Sequence, residues 1–149
     1  RCELSVFATD PETGVLVKCR FDKLLDAKLA IDVKKTRDLR DFGKSVANYG
    51  YHMQAAFYTD VWKWATGEDL DGFMFAAVEE QMPHASAMIT LDDEAMDIGR
   101  MEYRKALNTY AECFERDEWN GIYQELAPVQ LPSWYINQFE NESEVKFDE

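Results

Sequence analysis

Three runs of alternating apolar and polar residues fill the first 36 positions, and the breaks between them are very short. ELSVFA meets the turn formers of TDPETG, VLVKCRFDKLL resumes the alternation, and LAIDVKKT follows the LDAK segment. Alternation with period two is the mark of a strand with one face buried. A parallel connection needs at least about a dozen residues, so strands joined this tightly must run antiparallel. The chain therefore opens as a three-stranded meander, with Val15, Val17 and Cys19 on one side of the second strand.

The period then changes. From about Asp38 to Thr66, Val46, Tyr49, Met53, Phe57 and Trp64 recur at helical spacing, and Gly67 is a plausible stop. GFMFAAVEE is a nearly continuous apolar run of strand length, which predicts a strand covered on both faces. SAMITL predicts another strand. Thr90 or Asp92 is placed to cap a long helix reaching about Trp119, with Met96, Tyr103, Leu107, Tyr110 and Phe114 facing inward. LAPVQLPSWYINQF reads as a loop and short helix, and NESEVKFDE as a frayed end. The order β-β-β-α-β-β-α specifies an α/β fold, a mixed central sheet flanked by helices. Residues 1–140 form one domain in this reading and 141–149 an acidic tail.

At 149 residues and 46% hydrophobic content, with four tryptophans, the chain can build a real core. It has no apolar run near the ~20 residues of a membrane helix. Three cysteines, an odd number with no CxxC pair, fit a reduced, cytoplasmic compartment. The net charge of −13 is unevenly spread: residues 1–63 carry 11 Lys/Arg against 9 Asp/Glu, and residues 64–149 carry 5 against 20. Lys18, Arg20, Lys23, Lys28, Lys34, Lys35, Arg37, Arg40 and Lys44 cluster around AIDVKKT, which predicts a basic working face on an acidic body.

AIDVKKT carries unusual charge for a strand. Positions two apart share a face, roughly 6.5–7 Å apart, so Asp32 and Lys34 point one way and Lys35 the other. If the second and third strands pair across LDAK, Asp22 approaches Asp32 at the sheet end. Two carboxylates there repel unless a cation lies between them, and a hard divalent ion with oxygen ligands suits the position. D-x₉-D-x-K alone fits a solvated strand end equally well. On the following helix, Gln54 and Tyr58 stand four apart on one face, with Tyr51 and His52 one turn earlier. Tyr58 also suits a core aromatic, and His52 a surface residue near a helix start.

CRFDKLL, AIDVKKT and YHMQAAFYTD, in that order, resemble the C-terminal nuclease domain of exodeoxyribonuclease VIII and its prophage relatives, PD-(D/E)-X-K nucleases close to the RecB-like branch. ELSVFATDPETG, FMFAAVEE and the late DEW…LPSW segment extend the resemblance over nearly the whole chain. It implies Mg²⁺-dependent degradation of linear double-stranded DNA from its ends, 5′ to 3′, in recombination, with Mn²⁺ able to substitute. It also implies a ring-like homo-oligomer and a single-strand annealing protein as partner. By position, Asp22 is the first acid of the motif, Asp32 the second and Lys34 its lysine, with Gln54 and Tyr58 matching Q-x-x-x-Y. Asp22, Asp32 and the Val33 carbonyl are the implied metal ligands. Gln54 would fix the phosphate backbone, and Tyr58 would support Gln54 or the lysine. Phe21 stands where the motif's proline is usual, and Lys35 where a threonine is usual. Relatives take a further active-site residue from a helix upstream of the first strand. The chain opens at Arg1 without methionine and almost at once enters a strand, so it reads as N-terminally truncated and, alone, as a poor nuclease. The competing expectation is a non-catalytic, nuclease-like assembly module whose acidic half docks a protein partner.

Overall fold

The computed structural model describes the chain except residues 27, 120, 122–127 and 145–149. It separates into two units, Arg1–Asp117 and Glu118–Glu149.

In the first unit, β1 (Cys2–Thr9), β2 (Leu16–Leu24) and β3 (Leu29–Thr36) form the antiparallel meander. A 3-10 turn (Leu39–Asp41) then leads into α1 (Phe42–Tyr49) and α2 (Tyr51–Thr66). The chain returns in β4 (Gly72–Glu79), which runs parallel to β3 with Asp32 opposite Phe75 and Lys34 opposite Ala77. β5 (Ser86–Ile89) closes the sheet antiparallel to β4, in the order β1-β2-β3-β4-β5. α3 (Asp93–Arg116) follows, its N-terminus capped by the Asp92 carboxylate, which accepts the Ala95 N–H at 2.8 Å. The architecture is a mixed α/β sheet whose single parallel pair, β3 and β4, is created by the α1–α2 crossover.

Two departures from the sequence pattern bear on the site. The helical stretch is not continuous: Gly50 adopts φ 66°, ends α1 and starts α2 in a new phase. Only glycine enters this left-handed region without steric cost. Because the phase resets, Tyr49 is 71% exposed rather than part of an inward stripe, and α2 buries His52, Ala55, Ala56 and Val61. In addition, β4 is not equally covered on its two faces. Phe75 and Ala77 are fully buried, whereas Met74 and Ala76 on the opposite face are only partly so. Its apolar run reflects a small sheet with tight cross-strand packing as well as burial.

The core lies between the sheet and α2. Phe21, 2% exposed, meets the Tyr58 and Trp62 rings edge-on at 5.4 and 6.0 Å. It shares one cluster with Ala8, Val17, Cys19, Leu24, Ala30 and Val61. Phe42, Val46, Ala55, Phe75 and Ala77 make a second cluster under α1. α3 packs on the outer side of α2 at Gly99, where an added Cβ would lie 2.4 Å from the His52 carbonyl oxygen. Tyr103 is buried there between Phe57 and Trp64. Phe114, expected to face inward, is 68% exposed and stacks on Tyr110 with ring centroids 6.2 Å apart.

Arg104 ties α3 to the β1–β2 hairpin. Its guanidinium lies 2.7 Å from the fully buried Asp10 carboxylate, which also accepts the Thr13 hydroxyl and N–H. Burial pushes the Asp10 carboxyl up, but the bonds from Arg104 and Thr13 outweigh it and leave the group below its ordinary value.

In the second unit, α4 (Ser133–Glu144) starts directly after Pro132, and its Tyr135 ring contacts those of Trp134 and Phe139. The helix continues past position 140 into the expected acidic tail of 141–149, and residues 145–149 of that tail lie outside the described residues. Among the described residues no helix is long and apolar enough to cross a membrane.

Candidate active site

The site grows from the point where β2 and β3 part. The two strands pair only at Lys23↔Ile31 and Leu24↔Ala30. One step further in the same register sets Asp22 opposite Asp32, but there the backbone ladder stops. Instead, the Asp22 carboxylate accepts the Val33 N–H at 2.9 Å. A side chain in place of a ladder carbonyl satisfies the freed donor and holds the strands apart. The gap places both acids at its mouth, Asp22 half-buried and Asp32 only 4% exposed.

Burying a carboxylate this deeply is costly unless the charge is paired and hydrogen-bonded. Asp32 has both. Its Oδ1 accepts the Gln54 amide N–H at 2.8 Å, and its Oδ2 lies 2.7 Å from Lys34 Nζ. Lys34 in turn donates to Gln54 Oε1 at 2.8 Å. Asp32, Lys34 and Gln54 thus form a closed ring that fixes the Gln54 amide orientation, because only one arrangement offers N–H to the acid and oxygen to the lysine. Apart from the ion pair, Asp32 Oδ2 has no hydrogen-bond partner. This leaves a buried carboxylate oxygen with spare acceptor capacity.

Lys34 owes its place to parity along β3 and to an aromatic floor. Its ammonium sits 4.4 Å from the Tyr51 ring centroid and 5.9 Å from that of Phe75. A desolvated cation over an aromatic face gains about 2 kcal/mol. Tyr51 itself is wedged between Phe42 at 6.0 Å and Phe75 at 5.7 Å. Lys35 takes the other face of the strand and pairs with Glu80 at 3.1 Å in solvent.

Asp22, Asp32, Lys34 and Gln54 therefore come together around one gap. Tyr58 does not join their polar network. Its ring packs edge-on against Phe21 and Phe73, where it supports the strand that carries Asp22. The aromatic under the lysine is Tyr51, three residues before Gln54. An i,i+3 spacing on one helical face was the available signal, hidden by the unrecognised helix start at Gly50. His52 is likewise not at the surface. It is 7% exposed, with Nδ1 3.2 Å from the Val46 carbonyl and Nε2 3.0 Å from Glu102, so it joins α1, α2 and α3.

The expected basic face is also altered by folding. Arg20 pairs with Glu3, Lys28 with Glu68, Lys35 with Glu80, Arg40 with Asp38 and Lys44 with Asp41, at 2.6–3.1 Å. Glu68 and Glu80 are distant in sequence, so a count along the chain misses their return. The positive charge is largely compensated where it stands.

Oxygen donors at the gap suit a hard cation. Mg²⁺ keeps several waters and commonly uses only one or two protein carboxylates with substrate phosphates. Among the described residues no group of three or more His, Cys, Asp or Glu side chains is gathered for a metal. Asp22 and Asp32 match the two-carboxylate pattern.

The mixed sheet with its flanking helices is a restriction-endonuclease-like core of the PD-(D/E)-X-K class. The chain belongs to the family described as a PDDEXK-like domain of unknown function (DUF3799), whose model matches residues 3–125. It is also similar in fold to the crystal structure of a protein from Eubacterium rectale provisionally named an exonuclease. The TM-score is 0.68 at 15% sequence identity, over 91% of this chain and 56% of that one. This chain thus spans little more than half of its structural neighbour. No curated protein is matched.

Proposed function

We propose that this domain is a Mg²⁺-dependent exodeoxyribonuclease that hydrolyses linear double-stranded DNA from its ends, 5′ to 3′, in phage-type recombination. The observation that carries the reading is the buried ring of Asp32, Lys34 and Gln54 with Asp22 across the gap. Burial alone does not mark function, since Asp10 and Arg104 make an equally deep structural pair; here a second carboxylate stands across the gap, and a nuclease needs charge held ready where a phosphate arrives.

Asp22 and Asp32, with the Val33 carbonyl, would hold the ion. Bound there, Mg²⁺ supplies charge neutralisation at the scissile phosphate and a more acidic water. The chain's own groups do the positioning. Gln54 bonds both Asp32 and Lys34, and the Tyr51 ring lies under the ammonium and limits where it can move. Lys34 Nζ, an N–H donor with no acceptor capacity, holds the attacking water or offsets charge gathering on the phosphate oxygens. Duplex DNA ends, a ring-like homo-oligomer, a single-strand annealing partner and a cytoplasmic setting belong to the same proposal. They are supported by the resemblance of the motifs.

The test compares wild type, Lys34→Ala and Lys35→Ala on end-labelled linear duplex DNA with Mg²⁺. Removing one electrostatic group of this kind slows cleavage about 10²–10³-fold, so Lys34→Ala should lose that much. Lys35→Ala should stay close to wild type. Weak cleavage is expected of this chain alone, and equal effects of the two variants on it would overturn the proposal.

A further inference from the structure

Beside the gap, at the carboxyl end of β3, lies a polar cleft of about 530 Å³ lined by the end of β3, the loop after it, α1 and Glu80. Clefts at the carboxyl ends of parallel strands are habitual ligand sites in α/β sheets. This one has two features that single out a ligand.

Its charge cancels. Lys35 is matched by Glu80 at 3.1 Å, Lys44 by Asp41 at 2.8 Å, and Asp38 is engaged by Arg40 from outside the lining. Arg37 makes no hydrogen bond or ion pair among the described residues. A phosphate entering the cleft must compete with three resident carboxylates, so phosphate attraction alone does not hold a nucleic acid here.

Its aromatic wall is open. Tyr49, the last residue of α1, is 71% exposed, yet one face of its ring is fixed by stacking on Tyr51 at 5.6 Å and 30°. The left-handed Gly50 sets this geometry by turning the chain between the two tyrosines. Tyr51 is the ring beneath the Lys34 ammonium, so the stack runs from the cleft to the candidate active site. Flat, preorganised aromatic surface next to a single free guanidinium is the pattern that holds an unpaired base, with stacking supplying most of the affinity.

We propose that Tyr49, assisted by Arg37, stacks an unpaired nucleotide of a single strand beside the scissile phosphate, so that the enzyme engages DNA ends through a frayed base. The proposal rests on the nuclease reading of the neighbouring site but is tested apart from it. Binding is measured without divalent metal, by fluorescence anisotropy, on two labelled probes: a short oligothymidylate and an abasic oligonucleotide of equal length and charge. Wild type should prefer the base-bearing probe. Tyr49→Ala should weaken binding of that probe about 5- to 100-fold and leave the abasic probe unchanged. Tyr49→Phe should bind as wild type does, since the ring and not the hydroxyl carries the stack. The high exposure of Tyr49 makes its truncation harmless to folding, which circular dichroism of the variant checks. Equal affinity for the two probes, no measurable binding of either, or a Tyr49→Ala protein indistinguishable from wild type would overturn the inference. Duplex cleavage by wild type in Mg²⁺, read separately, reports on the nuclease reading itself.

Discussion

Replacing Gly99 by alanine sets two opposing effects against each other. In an isolated helix the change is favourable by about 1 kcal/mol, because alanine has far less backbone freedom to lose than glycine. In this fold, the new Cβ would lie 2.4 Å from the His52 carbonyl oxygen, 2.7 Å from its carbon and 3.0 Å from the Met53 nitrogen. All three are backbone atoms of α2, so no flexible side chain can move aside. Relief requires α3 to move off α2 by roughly 1 Å, the difference between this approach and an ordinary C···O contact of about 3.5 Å. Such a shift loosens the Tyr103 contacts with Phe57 and Trp64 and the Arg100–Asp60 pair at 3.2 Å. Overpacking of this kind costs about 1–3 kcal/mol. With the obstacle entirely main chain we take the upper end, for a net loss of about 1–2 kcal/mol after the propensity gain. In a domain of this size that lowers Tm by roughly 4–8 °C. Thermal melting followed by circular dichroism reads it, with the exposed Asn108→Ala on the same helix as a control expected to change Tm little or upward. A Gly99→Ala protein that melts at or above wild type would show that the helices do not approach as described.

Arg104→Met should cost about 3–5 kcal/mol in chemical denaturation at neutral pH, because it leaves the fully buried Asp10 carboxylate without its counter-charge. The pH profile should also invert. In wild type the folded-state value of Asp10 lies below the ordinary 3.8, so its contribution is present above pH 3.8 and is lost as pH falls through the lower folded value. Without Arg104 burial dominates and raises the folded value, so acidification towards that range should now stabilise the variant relative to neutral pH; an unchanged profile would refute the pairing. Burial pushes the Cys19 thiol up to about 12, so iodoacetamide at mildly alkaline pH should modify exposed Cys2 well before Cys19, as peptide mass spectrometry would reveal. Calorimetric titration with Mn²⁺ should give heat for wild type that is lost in Asp32→Ala; equal heats would remove Asp32 from the metal site.

How much of this molecule a reader of the sequence could foresee depends on the range of the interactions involved. Alternation with short breaks was enough to specify the β1–β2–β3 meander, because both strand period and hairpin closure are local properties. The same period set Lys34 on the face of Asp32 and Lys35 on the other, as their separate partners in the fold reflect. The Asp92 cap and the Gly67 stop were equally local. Tertiary structure decided the rest. A single left-handed glycine at position 50 reset the helical phase, which buried His52, exposed Tyr49 and brought Tyr51 instead of Tyr58 beneath the lysine. Glu68 and Glu80 returned from later in the chain to neutralise lysines that looked free. The parting of β2 from β3, held by one carboxylate on one N–H, made the gap in which the acids and the lysine meet. Periodicity records which way each side chain points from its own strand or helix; which distant groups occupy the space it points into is fixed only when the elements pack.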